Sequence, residues 1–82
     1  MAQSTFHLLI ASVGKTHFDG PAIAATFPGV DGEFTVLAHH EPFVTTLKKG
    51  AIRVRASSES PKEFTIDSGV LEVSNNRAVV LL

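Results

Sequence analysis

The sequence contains no cysteine, no tryptophan and no tyrosine, and only one methionine. Without cysteine, neither a disulfide nor a thiolate–metal site can form. A short chain that lacks such staples fits a cytoplasmic home better than a secreted one. Charge is scarce as well: Asp, Glu, Lys and Arg make up 18% of the residues, against roughly 25% in soluble domains generally. So lightly charged a composition accords with extensive protein contacts, and small β domains show it too. The net charge is −1 and the seven Lys and Arg are scattered, whereas a nucleic-acid binder needs a basic face. No apolar run approaches the ~18 residues of a membrane span, and the opening residues MAQST lack the basic start and apolar stretch of a signal peptide.

What the sequence does have is a repeated period of two, the signature of half-buried strands. Phe6, Leu8 and Ile10 share one face of a first strand, with His7, Leu9 and Ala11 on the other. Residues 14–20 (GKTHFDG) read as a polar connection, and Asp19-Gly20-Pro21 as a turn, with Pro21 suited to the first residue of the next strand. That strand runs through Ile23, Ala25 and Phe27 into the turn Pro28-Gly29-Val30-Asp31-Gly32, whose two glycines can take φ > 0. Alternation resumes over residues 33–38 with Phe34 and Val36, breaks at His39-His40-Glu41-Pro42, and returns over 43–47. Lys48-Lys49-Gly50 turns into 51–56, where Ile52 and Val54 alternate with Arg53 and Arg55; residues 57–61 read as a loop. Phe64 and Ile66 mark another strand, Ser68-Gly69 a bend, and Leu71 and Val73 the strand after it. Asn75-Asn76 is a two-residue hairpin turn, because Asn tolerates the positive φ such turns demand. Residues 78–82 (AVVLL) are apolar on both faces, which requires a central position or a covered outer face.

No stretch keeps a helical period. About ten short strands at this spacing predict one all-β domain over residues 1–82, a two-layer β-sandwich or flattened barrel. Eighty-two residues bury only about 60–65% of the unfolded surface, so the core must be thin or shared with a partner.

Chemistry finds little to use. His7 and His17 are ten residues apart, and the adjacent His39 and His40 point to opposite faces of an extended chain, so no zinc spacing occurs. Asp31 and Glu33, two apart, would share a face if the chain were extended there and could hold a cation or act as paired carboxylates; a solvated turn is the more ordinary use of both. Ser68-Gly69 lacks the flanking glycine and following helix of a nucleophile elbow. No phosphate-cradling glycine pattern is present. No catalytic residue, metal site or cofactor is expected.

Three segments are more specific than a plain β domain needs: Pro28-Gly29-Val30-Asp31-Gly32-Glu33-Phe34, His40-Glu41-Pro42 followed by Gly50, and Ser68-Gly69-Val70-Leu71-Glu72-Val73. In this order they resemble the N-terminal β-sandwich domain of the ε subunit of F-type ATP synthases. Phe6-His7-Leu8 and Phe18-Asp19-Gly20 are also similar to that family's first strand and its Phe-x-Gly turn, and the likeness runs from Phe6 to Leu82. His39 stands where small residues or Asn are commoner. Val70 replaces the second Gly of Ser-Gly-Gly, which bears on the backbone angles of that bend. The typical member continues into a C-terminal hairpin of two helices, which can inhibit ATP hydrolysis and in some members binds ATP. The sequence stops at Leu82, so neither property is carried over; a naturally short subunit and a shortened one both accord with it.

The resemblance implies a non-catalytic rotor subunit in the central stalk, between the γ subunit and the polar loops of the c-ring. It would help couple proton- or sodium-driven rotation to ATP synthesis at the cytoplasmic face of a bacterial inner membrane. By the same resemblance, Gly29, Val30, Asp31, Gly32 and Glu33 match the loop facing the c-ring. Ser12, His40, Pro42, Phe43 and Thr45 match positions on the γ-facing side. Two other readings compete: a free-standing β-sandwich that binds a peptide or another ligand, and a small metal-dependent enzyme built on the histidines. The lack of Trp and Tyr disfavours a sugar-binding version of the first, and the histidine spacing disfavours the second.

Overall fold

Alternating apolar residues drive one side of each strand indoors, and the outcome is a sheet that must fold onto itself to bury that side. The computed structural model describes residues 4–56 and 60–82, and among these nine strands form. They are β1 (Phe6–Ser12), β2 (Lys15–Ala22), β3 (Ala24–Gly29), β4 (Gly32–Leu37), β5 (Phe43–Leu47), β6 (Gly50–Arg55), β7 (Lys62–Ile66), β8 (Gly69–Ser74) and β9 (Arg77–Leu81). The all-β expectation holds. The loop expected over 57–61 lies partly outside the described residues.

The strands follow the order β2-β1-β9-β8-β5-β3-β6-β7, with β4 on the free side of β3. β5 and β3 meet at a single residue pair, Leu47 with Gly29. There the sheet turns over, giving one layer of β2-β1-β9-β8-β5 and a second of β4-β3-β6-β7. Leu8, Ile10, Leu71 and Val80 from the first layer and Phe27, Ile52 and Val54 from the second are fully buried between them. The far ends of the path come together through side chains: Phe18 of β2 meets Phe64 of β7 edge-on at 6.2 Å. The Lys62 ammonium lies 5.8 Å from the Phe18 ring centroid, within cation–π range.

The doubly apolar last strand is central, parallel to β1 and antiparallel to β8. The Asn75-Asn76 hairpin forms as expected, with φ of 50° and 58°. These are the two positive angles of the turn whose twist matches the flanking strands. Val70 lies within β8, opposite Thr46 and Leu81.

Two expectations are corrected. Residues 14–20 are not a connection: the turn is Val13-Gly14, and Asp19, Gly20 and Pro21 lie inside β2 opposite Leu9, Leu8 and His7. β2 is an edge strand, so Pro21 is the seventh of eight strand residues rather than the first. An edge needs ladder hydrogen bonds on one side only, which is where proline is tolerated. The second correction concerns Gly29. Only Gly32 of the two turn glycines takes positive φ, at 132°. Gly29 is needed for space instead, since a Cβ there would sit 2.7 Å from the Gly32 carbonyl oxygen and 2.8 Å from the Phe34 ring.

Candidate functional site

The β3–β4 hairpin presents Val30 and Asp31 at its tip. Gly29 and Gly32 close it as a pair, and Val30, Asp31 and Glu33 are exposed. Asp31 lies in the turn and Glu33 in β4, so the extended chain that would place both carboxylates on one face is absent. The hairpin is not free to swing. The Val30 amide donates to the Thr46 carbonyl at 3.2 Å, and the Lys48 amide donates to the Pro28 carbonyl at 2.9 Å. The first holds the tip and the second the base of the hairpin to the end of β5.

His40 and Pro42 lie in the exposed connection 38–42 that leads from β4 into β5. The His40 Nδ1–H donates to the Glu41 carbonyl at 2.8 Å, which makes Nε2 the acceptor nitrogen of the neutral ring. Its ring lies 5.0 Å from that of Phe43. Phe43 in turn meets Phe34 edge-on at 5.6 Å, and Phe34 lies 5.7 Å from Phe27 in the core. This aromatic row ties the 38–42 connection to the residue that follows Glu33. The lack of a side chain at Gly29 makes room for the Phe34 ring within it. Thr45 is half-buried on β5, opposite Leu71.

The structure therefore brings His40 and Phe43 together, with Pro42 between them in the chain and Thr45 two residues further along β5, and builds Gly29, Val30, Asp31, Gly32 and Glu33 into one hairpin. Ser12 stands apart. It ends β1, which is separated from β5 by β9 and β8, so a partner touching both must span that layer. The pairing of β1 with β2 slips between Ile10–Phe18 and Ala11–Thr16, leaving His17 as an extra residue. Such a bulge re-aims a side chain, and here the His17 Nε2 is hydrogen-bonded to the Ser12 hydroxyl at 3.0 Å. His7 donates from Nε2 to Asp19 at 2.6 Å across the same strand pair, with both side chains about half exposed. Among the described residues no three His, Cys, Asp or Glu side chains come close enough to hold a metal ion.

Sequence reasoning caught one feature only in part, at its last strand, and missed another. One is the outward face of the first layer, where Val44, Val70 and Leu81 are exposed and Leu9 and Val79 half-buried. Cross-strand pairing aligns Val44, Glu72, Val79 and Leu9 in one row, and Thr46, Val70, Leu81 and Ala11 in the next. The doubly apolar run at 78–82 was the available signal. The other is Asn76, whose side chain reaches beyond its own turn; nothing local in the sequence announces that reach.

Comparison with known proteins gives these features a context. The family model described as ATP synthase, Delta/Epsilon chain, beta-sandwich domain matches residues 5–82. The ATP synthase epsilon chain of Chlorobium limicola is 35% identical over 80 residues, covering 98% of this chain and 91% of that one. The epsilon chain of Wolbachia pipientis wMel is 41% identical over 59 residues, or 72% of this chain and 52% of that one. The chain thus spans most of the first relative and about half of the second. Among solved structures, a chain of the Euglena gracilis mitochondrial ATP synthase superimposes with a TM-score of 0.87 at 23% identity, over 94% of this chain and 49% of that one. A chain from the central stalk and c-ring of the Tetrahymena thermophila enzyme gives 0.80 at 16% identity, over 99% and 65%. At such identities these two speak for the fold alone, and they agree with the folded-over sheet seen here. With the match extending from the start of β1 to Leu82, this chain belongs to the family of ATP synthase delta and epsilon chain β-sandwich domains.

Proposed function

We propose that this chain is the rotor subunit of an F-type ATP synthase that joins γ to the c-ring and helps carry ion-driven rotation to catalytic sites on other subunits. It performs no bond-making step itself. The observation that carries the reading is the family match across nearly the whole chain, together with 35% identity over 91% of an epsilon chain. The architecture suits the role, since a densely packed core resists deformation and the hairpin facing the ring is pinned by two backbone hydrogen bonds. On this reading Gly29, Val30, Asp31, Gly32 and Glu33 face the c-ring, where exposed acids meet basic loops and set register and on-rate more than affinity. His40, Pro42, Phe43 and Thr45 face γ, and Ser12 marks the far margin of the same contact. The chain is then held peripherally at the cytoplasmic face of a bacterial inner membrane, through the complex.

Reconstitution tests this. Adding the chain to synthase stripped of this subunit should restore ion-driven ATP synthesis. Binding to the stripped enzyme without restored synthesis would contradict the coupling role.

A further inference from the structure

The turn that closes the β8–β9 hairpin does a second task. The Asn76 side chain splits its amide between two distant segments: Oδ1 accepts from the His39 backbone N–H at 2.8 Å, and Nδ2 donates to the Thr5 carbonyl at 2.9 Å. One partner is a donor and the other an acceptor, so a single amide orientation satisfies both. The Asn76 carbonyl also accepts from the His7 amide at 3.2 Å. Three stretches of chain, the approach to β1, the connection 38–42 and the hairpin itself, therefore meet at one residue.

His39 has φ of 62°, an uncommon angle for a residue with a side chain. Such a conformation persists only where its surroundings over-determine it. The Asn76 bond supplies that constraint from 37 residues away. Immediately after His39 come His40 and Pro42, two of the residues assigned above to the γ contact. From this geometry we infer that Asn76 is a positioning residue for the γ-facing connection. It holds the His39 backbone, and so fixes where His40 and Pro42 stand before any partner arrives. The inference rests on the functional reading above. It adds a residue that touches no partner yet sets affinity, because a connection ordered in advance loses less entropy on binding.

Two substitutions separate this task from the turn itself. Asn76→Gly keeps a residue at ease with positive φ but deletes both side-chain hydrogen bonds. Asn76→Asp keeps an oxygen that can accept from His39, while its second oxygen, unable to donate to the Thr5 carbonyl, must turn to water at this exposed site. With the full chain, hydrogen exchange at the His39 amide should quicken about tenfold or more in Asn76→Gly and change little in Asn76→Asp. Affinity for a γ-containing soluble subcomplex should fall about tenfold in Asn76→Gly and stay near the parent's in Asn76→Asp. Equal affinity of the parent and Asn76→Gly, or an unchanged His39 exchange rate, overturns the positioning role. Failure of Asn76→Gly to fold overturns it too, since the side chain would then be a requirement of the fold. Failure of the parent itself to bind would instead remove the functional reading, and the exchange data would still report on the clamp.

Discussion

Gly29 and Gly20 show how differently two glycines in consecutive strands can be constrained. A methyl group at Gly29 would press on the Gly32 carbonyl and the Phe34 ring, while nothing lies within 4 Å of the place it would occupy at Gly20. Overpacking of this kind costs about 1–3 kcal/mol. In a domain of this size that corresponds to a fall in melting temperature of roughly 5–20 °C. Thermal denaturation should therefore show a clear loss for Gly29→Ala and a small change for Gly20→Ala. Equal melting temperatures would mean that the aromatic row does not press on the hairpin as described. His40 is the residue at which the proposed γ contact is best separated from folding, because it is exposed while Phe43 packs against Phe34 and the core. His40→Ala should leave the melting temperature within a few degrees, as surface substitutions do, and should measurably weaken binding to γ. An unchanged affinity would move the contact away from the 38–42 connection.

Among the elements, the β3–β4 hairpin carries the most specific expectation. The Asp31 side chain at its tip is exposed and the hairpin backbone is pinned to the end of β5, so reversing the charge at the tip should disturb a partner and not the fold. Asp31→Lys should slow assembly with the c-ring and flatten its salt dependence, the usual signature of a rim charge. Stopped-flow mixing at several salt concentrations would read both, and identical salt profiles for the two proteins would count against an electrostatic contact at this turn. Much of the element layout was legible in the sequence. β5 and β6 follow their alternation to within a residue, and Asn75-Asn76 announced a hairpin that forms with the required angles. β2 was illegible because Asp19-Gly20-Pro21 has the composition of a turn. It is a strand because it pairs with β1, and it tolerates Pro21 because the long-range pairing of β1 with β9 leaves it at the sheet edge. The site divides the same way. The Gly29–Glu33 turn could be read from neighbouring residues, whereas the separation of Ser12 from His40 and the reach of Asn76 to His39 depend on contacts between remote segments.

At the scale of the whole molecule, the two layers are joined on one side by the strand pairing of Gly29 with Leu47 and on the other by Phe18 against Phe64. This second seam is made of side chains, so it can be opened without breaking a strand. Phe64→Ala removes a partly buried ring that packs on the core, and losses for such truncations reach about 3–5 kcal/mol when burial is complete. Denaturant titration should show a large fall in stability, and a loss under about 1 kcal/mol would mean the seam contributes little. A rotor element has to turn as one body with what it touches, so the central claim is physical association with γ. The direct measurement is light scattering on a size-exclusion column, with the full chain mixed with a γ-containing soluble subcomplex from the same organism. Co-elution at one copy per γ is the expected result. Separate elution of the two at concentrations where both are folded would contradict it.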